Sequence, residues 1–341
     1  MSALKRVDLP TFGRPTITTE GSDCTSYYLR ALMHEAHNDG SIIFRMNRLF
    51  QIIQRNFTPV SVFVLAVITA GGVRGADCDR ACLNGMITKY VDAIVAHDPS
   101  KLPLAANVRF SEDSKDLKLG EGLWKTVTRK GDFRQDYIDL KKQIAAAHVE
   151  LFEDNAQILY SVVLRVADQK ITGVETLVDR ITANSKFKPD SLAKAQSGMS
   201  APVPAGKRMP RAEMVKTAMF YPEGLRIGSF VDAKTPFATE AFRVENGTFI
   251  AGVGGPRENH PPILTQKIIL HPDVKASVAA VDEEEGIVLL WMNFGDTNSY
   301  GPGNALITFE AFKVWGSEIH AVNAFFRTQP KETQRGWPSA E

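Results

Sequence analysis

The chain has 341 residues, with 40 Lys and Arg against 39 Asp and Glu, a formal net charge of +1. A balance this even leaves no electrostatic footprint for nucleic acid, and no basic amphipathic stretch marks a membrane surface. Hydrophobic residues make up 44% of the chain, enough for the core of one large domain or two ordinary ones.

Residues 1–45 show neither helical nor strand periodicity and are expected to fold into nothing. The stretch "NRLFQIIQRNFTPVSVFVLAVITAGGVRGA" then begins at Asn47. Arg48 and Arg55 supply positive charge, Pro59 to Ala70 is an apolar run, and Val73 and Gly75 stand at −3 and −1 before Ala76. This is the pattern of a signal peptide over residues 46–75. A bilayer span needs about 20 apolar residues, and a core helix needs a polar face that this run lacks. Two readings of the N-terminus stay open. Either Met46 is the true start and residues 1–45 are an over-extended gene start, or the signal peptide has a long n-region. Both place the mature protein in a secreted or periplasmic compartment, with no stable membrane association after processing. Residues 1–75 carry eight basic and five acidic groups, so the remainder carries 32 and 34.

Processing would remove Cys24 and leave Cys78 and Cys82, an even pair suited to an oxidising compartment. Their i,i+4 spacing is near the limit of disulfide geometry, and a bridge there would pin the N-terminal turn. Two cysteines without a nearby His make no zinc site, so no metal is expected. Nor is a cofactor, since no phosphate loop or catalytic elbow occurs.

From Ala76 the chain reads as two copies of one unit, over 76–182 and 210–327. "YVDAIVAHDPSKLPLAANVRFSED" from Tyr90 is echoed by "YPEGLRIGSFVDAKTPFATEAFRVENG" from Tyr221. "LRVADQKITGVETLVDR" from Leu164 is echoed by "FKVWGSEIHAVNAFFR" from Phe312, in the same order. Each unit opens on a helix: Leu83, Met86, Ile87, Tyr90 and Ile94 recur at helical spacing, and Arg211 to Gly228 does likewise, with Pro222 expected to kink or split it. β-branched, alternating strands follow, with "ADQK" and "NGT" as hairpin turns and "VDEEEG" at Val281 as a solvated tip. The Ser-, Pro- and Lys-rich stretch 183–209 reads as a linker and 328–341 as a C-terminal tail. The fold class is therefore α+β: two tandem units, each with N-terminal helices packed on an antiparallel sheet.

The run from Tyr90 to Asp113, with the closing hairpin and its Ile-led strand, resembles the nuclear-transport-factor-2-like (SnoaL-like) fold. The tandem, exported arrangement is similar to an uncharacterised group of secreted microbial proteins with that fold. The resemblance implies a curved sheet closed by helices into a cone, a small apolar molecule as partner, and an internal pseudo-dimer of the two units. It implies Tyr90 as an oxyanion-side tyrosine and Glu112 as a general base, with Asp113 as the alternative inward residue. It aligns Tyr221 and Asn246 with these in the second unit, where the carboxylate is then lost. Asn246 also opens an N-G-T glycosylation sequon. Arg109 and Arg243 are candidate ligand contacts, and Arg243 a candidate anion anchor. Glu310, a lone acid in the apolar strand "ITFEAFKV", and His320 form a reserve catalytic pair, with His271 a further polar candidate. The reading that follows is an exported small-molecule-binding protein without a complete catalytic set. The alternative is a cofactor-independent lyase, hydratase or isomerase.

Overall fold

The computed structural model describes residues 77–256 and 259–341, all within the unit Arg74–Glu341. The expected signal peptide, the segment before it and Cys24 lie outside the described residues. Helix α1 (Arg80–Val95) is capped by Asp79, whose carboxylate accepts from the Cys82 N–H at 2.8 Å, and Cys78 and Cys82 are disulfide-bonded at that end. Its face of Leu83, Ile87, Tyr90 and Ile94 packs on a sheet of β1 (Leu104–Glu112), β2 (Lys115–Leu117), β3 (Arg129–Asp139), β4 (Ile144–Glu153), β5 (Ala156–Ala167) and β6 (Lys170–Arg180). Helix α2 (Leu192–Met199) follows. Helix α3 (Arg211–Ile227) then packs on a second sheet of β7 (Phe237–Glu245), β8 (Thr248–Gly252), β9 (Lys275–Asp282), β10 (Ile287–Asn293), β11 (Asn304–Trp315) and β12 (Glu318–Pro330).

The two strand orders match, β2-β1-β6-β5-β4-β3 and β8-β7-β12-β11-β10-β9. The protein is thus α+β with two tandem units. One feature differs from an all-antiparallel sheet: β1 joins β6, and β7 joins β12, in parallel. The chain leaves each first hairpin by a crossing and starts its meander at the far edge. The last strand therefore arrives beside the first running the same way. The turns Asp168–Gln169 and Asn246–Gly247 both have positive φ at both positions, as two-residue hairpin loops require.

Three expectations are corrected. Pro222 lies inside one continuous α3: a missing N–H frees a single carbonyl, and the packed face of Met214, Ala218, Tyr221 and Leu225 holds the helix together. The linker contains α2, whose Leu192, Ala195 and Met199 are buried. The tip at Val281 is not wholly solvated, since Asp282 is buried.

Contacts between the units recur with roles exchanged. Arg80, the first residue of α1, binds Asp282 at the end of β9; Arg211, the first residue of α3, binds Asp139 at the end of β3. Asp282 also accepts from the Ile138 N–H and Asp139 from the Val281 N–H, each at 2.9 Å. The tail is built into the same region. Arg335 reaches Glu175 on one sheet and the Val278 carbonyl on the other, and Trp337 donates to Ser111 Oγ at 2.7 Å.

Candidate functional site

Strand register sets the correspondence between the units. Ile171 pairs with Leu104 and Thr176 with Glu112; Ile319 pairs with Phe237 and Ala324 with Glu245. The hairpins agree, with Glu112 opposite Lys115 and Glu245 opposite Thr248. Glu245 therefore occupies the place of Glu112, and Asn246 that of Asp113. The expected loss of the carboxylate in the second unit is a one-residue misalignment. The same register puts Arg243 where the first unit has Phe110, and Glu310 where it has Val162.

The first unit is closed around its candidates. The Tyr90 hydroxyl meets the Tyr160 hydroxyl at 3.0 Å and accepts from Trp124 Nε1 at 3.2 Å, all buried. Glu112 accepts from the Leu123 N–H at 2.9 Å, under a short turn, Gly122–Lys125. Gly122 has φ +65°, and a Cβ there would lie 2.4 Å from Glu112 Oε1, so the turn closes only with glycine. Burial raises the Glu112 carboxyl to about 7. Neither Tyr90 nor Glu112 lines the cavity of the second unit. Arg109 is not a cone residue: its guanidinium lies 4.3 Å from the Trp337 ring and pairs with Asp116 at 2.9 Å.

The second unit holds a cavity of about 680 Å³. Its polar wall carries Tyr221 from α3, Arg243 and Glu245 from β7, Asn246 from the hairpin turn, and His271 and Tyr300 from loops. Apolar lining comes from residues such as Leu225, Phe294 and Leu306. Asp179 and Ile181 of the first unit, and Phe187 of the connection, complete the wall. Arg243 donates to the Tyr221 hydroxyl at 2.8 Å and to Gln266 Oε1 at 3.1 Å, and its Nε stands 3.0 Å from Glu245. His271 Nε2 and the Tyr300 hydroxyl are 2.7 Å apart. Burial depresses the imidazole to about 4, so at neutral pH it is uncharged.

Glu310 lies behind this wall rather than in it. It is 1% exposed, and neither carboxylate oxygen has a hydrogen-bond partner. Burial, reinforced by Glu245, raises it to about 8 against the pull of Arg243 and Tyr221. The expected Glu310–His320 pair does not form. His320 is the extra residue of a bulge between Ile319 and Ala321; it stacks on Trp315, and its Nδ1 meets Glu240 at 2.7 Å.

Asn246 is structural as well as lining. Its Nδ2 donates to Asp179 and to the Phe326 carbonyl, and its Oδ1 accepts from the Phe326 N–H, each at 2.9 Å. At 3% exposure the sequon has no room for a glycan. Asn246→Ala should lower unfolding free energy by about 2–3 kcal/mol. Intact mass of the folded protein from a glycosylating host should show no glycan at Asn246; an occupied site would contradict the fold here.

A family model described as a domain of unknown function (DUF8021) matches residues 207–326, which hold α3 and most of the second sheet. No curated protein matches the chain. Among solved structures, a proposed ketosteroid isomerase from Kribbella flavida DSM 17836 aligns at 15% identity, covering 33% of this chain and 88% of that one, with a TM-score of 0.25. A likeness of that extent says nothing of activity.

Proposed function

We propose that the protein is an exported small-molecule-binding protein of nuclear-transport-factor-2-like build, and that its second unit is the working cone. The cavity beside Tyr221, Arg243 and His271 carries this reading: a space of about 680 Å³ lined by both polar and apolar side chains is of ligand-binding size. The first unit, filled by Tyr90, Trp124 and Tyr160, serves as its partner in an internal pseudo-dimer. The exchanged Arg80–Asp282 and Arg211–Asp139 pairs support that arrangement, and Asp179 and Ile181 lend the cavity part of its wall. The signal-like run before Ala76 and the Cys78–Cys82 bridge support export.

The test is occupancy. N-phenyl-1-naphthylamine, a neutral dye that brightens in apolar surroundings, should bind, and Leu306→Trp should fill the cavity and weaken binding about tenfold or more. Thermal unfolding of the variant checks that it folds. Dye binding that ignores Leu306→Trp in a folded protein would remove the second cone from consideration.

A second reading is proton chemistry of the lyase, hydratase or isomerase type. It is favoured by Glu245, a carboxylate in the cavity wall near the Tyr221 hydroxyl. In that reading Glu245 accepts a proton and Tyr221 donates to the oxygen that gains charge. Glu245→Gln would then abolish turnover while leaving dye binding intact.

A further inference from the structure

We infer that the second cone selects an uncharged, oxygen-bearing molecule, and that Glu245 sets this selectivity by cancelling the charge of Arg243. The inference rests on the binding reading above and deepens it.

Arg243 looks at first like an anion anchor. Its geometry says otherwise. One terminal nitrogen is spent on Tyr221, the other on Gln266, and Nε faces Glu245 at 3.0 Å. Both terminal nitrogens are already engaged, and the Glu245 carboxylate beside Nε balances the charge, so Arg243 is not an isolated cation waiting for a carboxylate. The other guanidinium of the wall, Arg327, is bound to Asp113 and to the Val178 carbonyl. Asp179 adds a further acidic group, held by Asn246. His271 is neutral and accepts or shares the proton of Tyr300. Lys186 and Lys267 also line the cavity, but both are exposed to solvent, where their charge is screened.

An anion entering this space would lose water and find no unpaired buried cation, and a buried charge without a partner is costly. A cation would lose water as well, and would find Glu245 and Asp113 already paired with Arg243 and Arg327. A neutral alcohol or ketone meets neither penalty. It can exchange hydrogen bonds with the Tyr221 and Tyr300 hydroxyls while its carbon frame covers Leu225, Phe294 and Leu306. The first unit shows the contrast: Phe110 stands in the place of Arg243, and Tyr90, Trp124 and Tyr160 are buried there against one another.

The experiment compares three probes of one shape at pH 7 by titration calorimetry: 2-naphthol, 2-naphthoate and 2-naphthylmethylammonium. The purified protein should bind 2-naphthol about tenfold or more tightly than either ion. Glu245→Gln keeps the shape of the side chain and removes its charge, leaving Arg243 unpaired. In that variant 2-naphthoate should tighten about tenfold and 2-naphthol stay within about twofold. Thermal unfolding checks that the variant folds, and if it does not, the ranking of probes on the unaltered protein decides alone. Either ion binding as tightly as 2-naphthol would overturn the inference. So would a folded E245Q protein with unchanged naphthoate affinity. Failure of all three probes would instead overturn the binding reading beneath it.

Discussion

Arg335→Met is expected to cost about 3–5 kcal/mol of stability, the scale on which removing one partner of a buried ion pair acts. Arg335 and Glu175 are 4% and 5% exposed and bonded through two parallel contacts of 2.9 and 2.8 Å. The remaining guanidinium nitrogen donates to Ser277 Oγ and the Val278 carbonyl, on the opposite sheet. One side chain from the tail therefore ties both sheets, and its loss leaves the Glu175 carboxylate buried without its hydrogen-bonded partner. Pairing the change with Glu175→Leu should return most of the stability, because two apolar groups carry no such penalty. Urea unfolding of the two single variants and the double variant measures this. A double variant as weak as Arg335→Met alone would show that the tail holds the units by packing, not by charge.

This tail illustrates what a sequence conceals. The repeat was legible because strand spacing and turn residues recur: "PLA" and "PFA", "ADQK" and "NGT" each mark a local conformation. Glu245 was equally legible. It stands nine residues after Pro236, as Glu112 stands nine after Pro103, but the eye follows the acidic end "SED" against "ENG" and slips by one. One residue in a strand exchanges the faces of the sheet, so that slip hid the carboxylate in the cavity wall of the second unit. Glu310 was visible as a lone acid among apolar neighbours. Its company was not, because Tyr221 and Arg243 reach it from distant segments. His320 was misjudged through a bulge, which no periodicity announces. Helix α2 and the tail carry little apolar pattern of their own. They are ordered by the surfaces they meet: Met199 is buried in the core of the second unit, and Trp337 lies where Gly173 leaves room. Tyr300, in a loop of Gly, Ser, Thr and Asn, carried no signal beyond its type.

Glu310→Gln should raise stability at alkaline pH, an outcome opposite to that of most substitutions in a core. The folded protein holds the Glu310 proton up to about 8, against an ordinary value near 4.5, chiefly because burial disfavours the charge. The sign follows directly. Between those two pH values the folded state binds more protons than the unfolded chain, so stability falls as pH rises through the window. The penalty is absent below the ordinary value and complete above the folded one, on the order of 4 kcal/mol in all. Glutamine keeps the shape of the side chain and has no proton to lose. Wild-type protein and E310Q should therefore be close in stability near pH 5, with the variant about 2–4 kcal/mol more stable near pH 8.5. Glu112, about 7, and Asp179, about 6, tilt both profiles in the same direction, so the difference between the two proteins isolates Glu310. Urea unfolding at pH 5, 6.5 and 8.5 gives that difference, and parallel profiles would mean that Arg243 holds Glu310 ionised throughout. Valine fills the matching place in the first unit, so the fold does not need an acid there. An acid that costs stability at that position, behind Tyr221 and Arg243 of the cavity wall, is the kind of residue retained for what a site does rather than for how it folds.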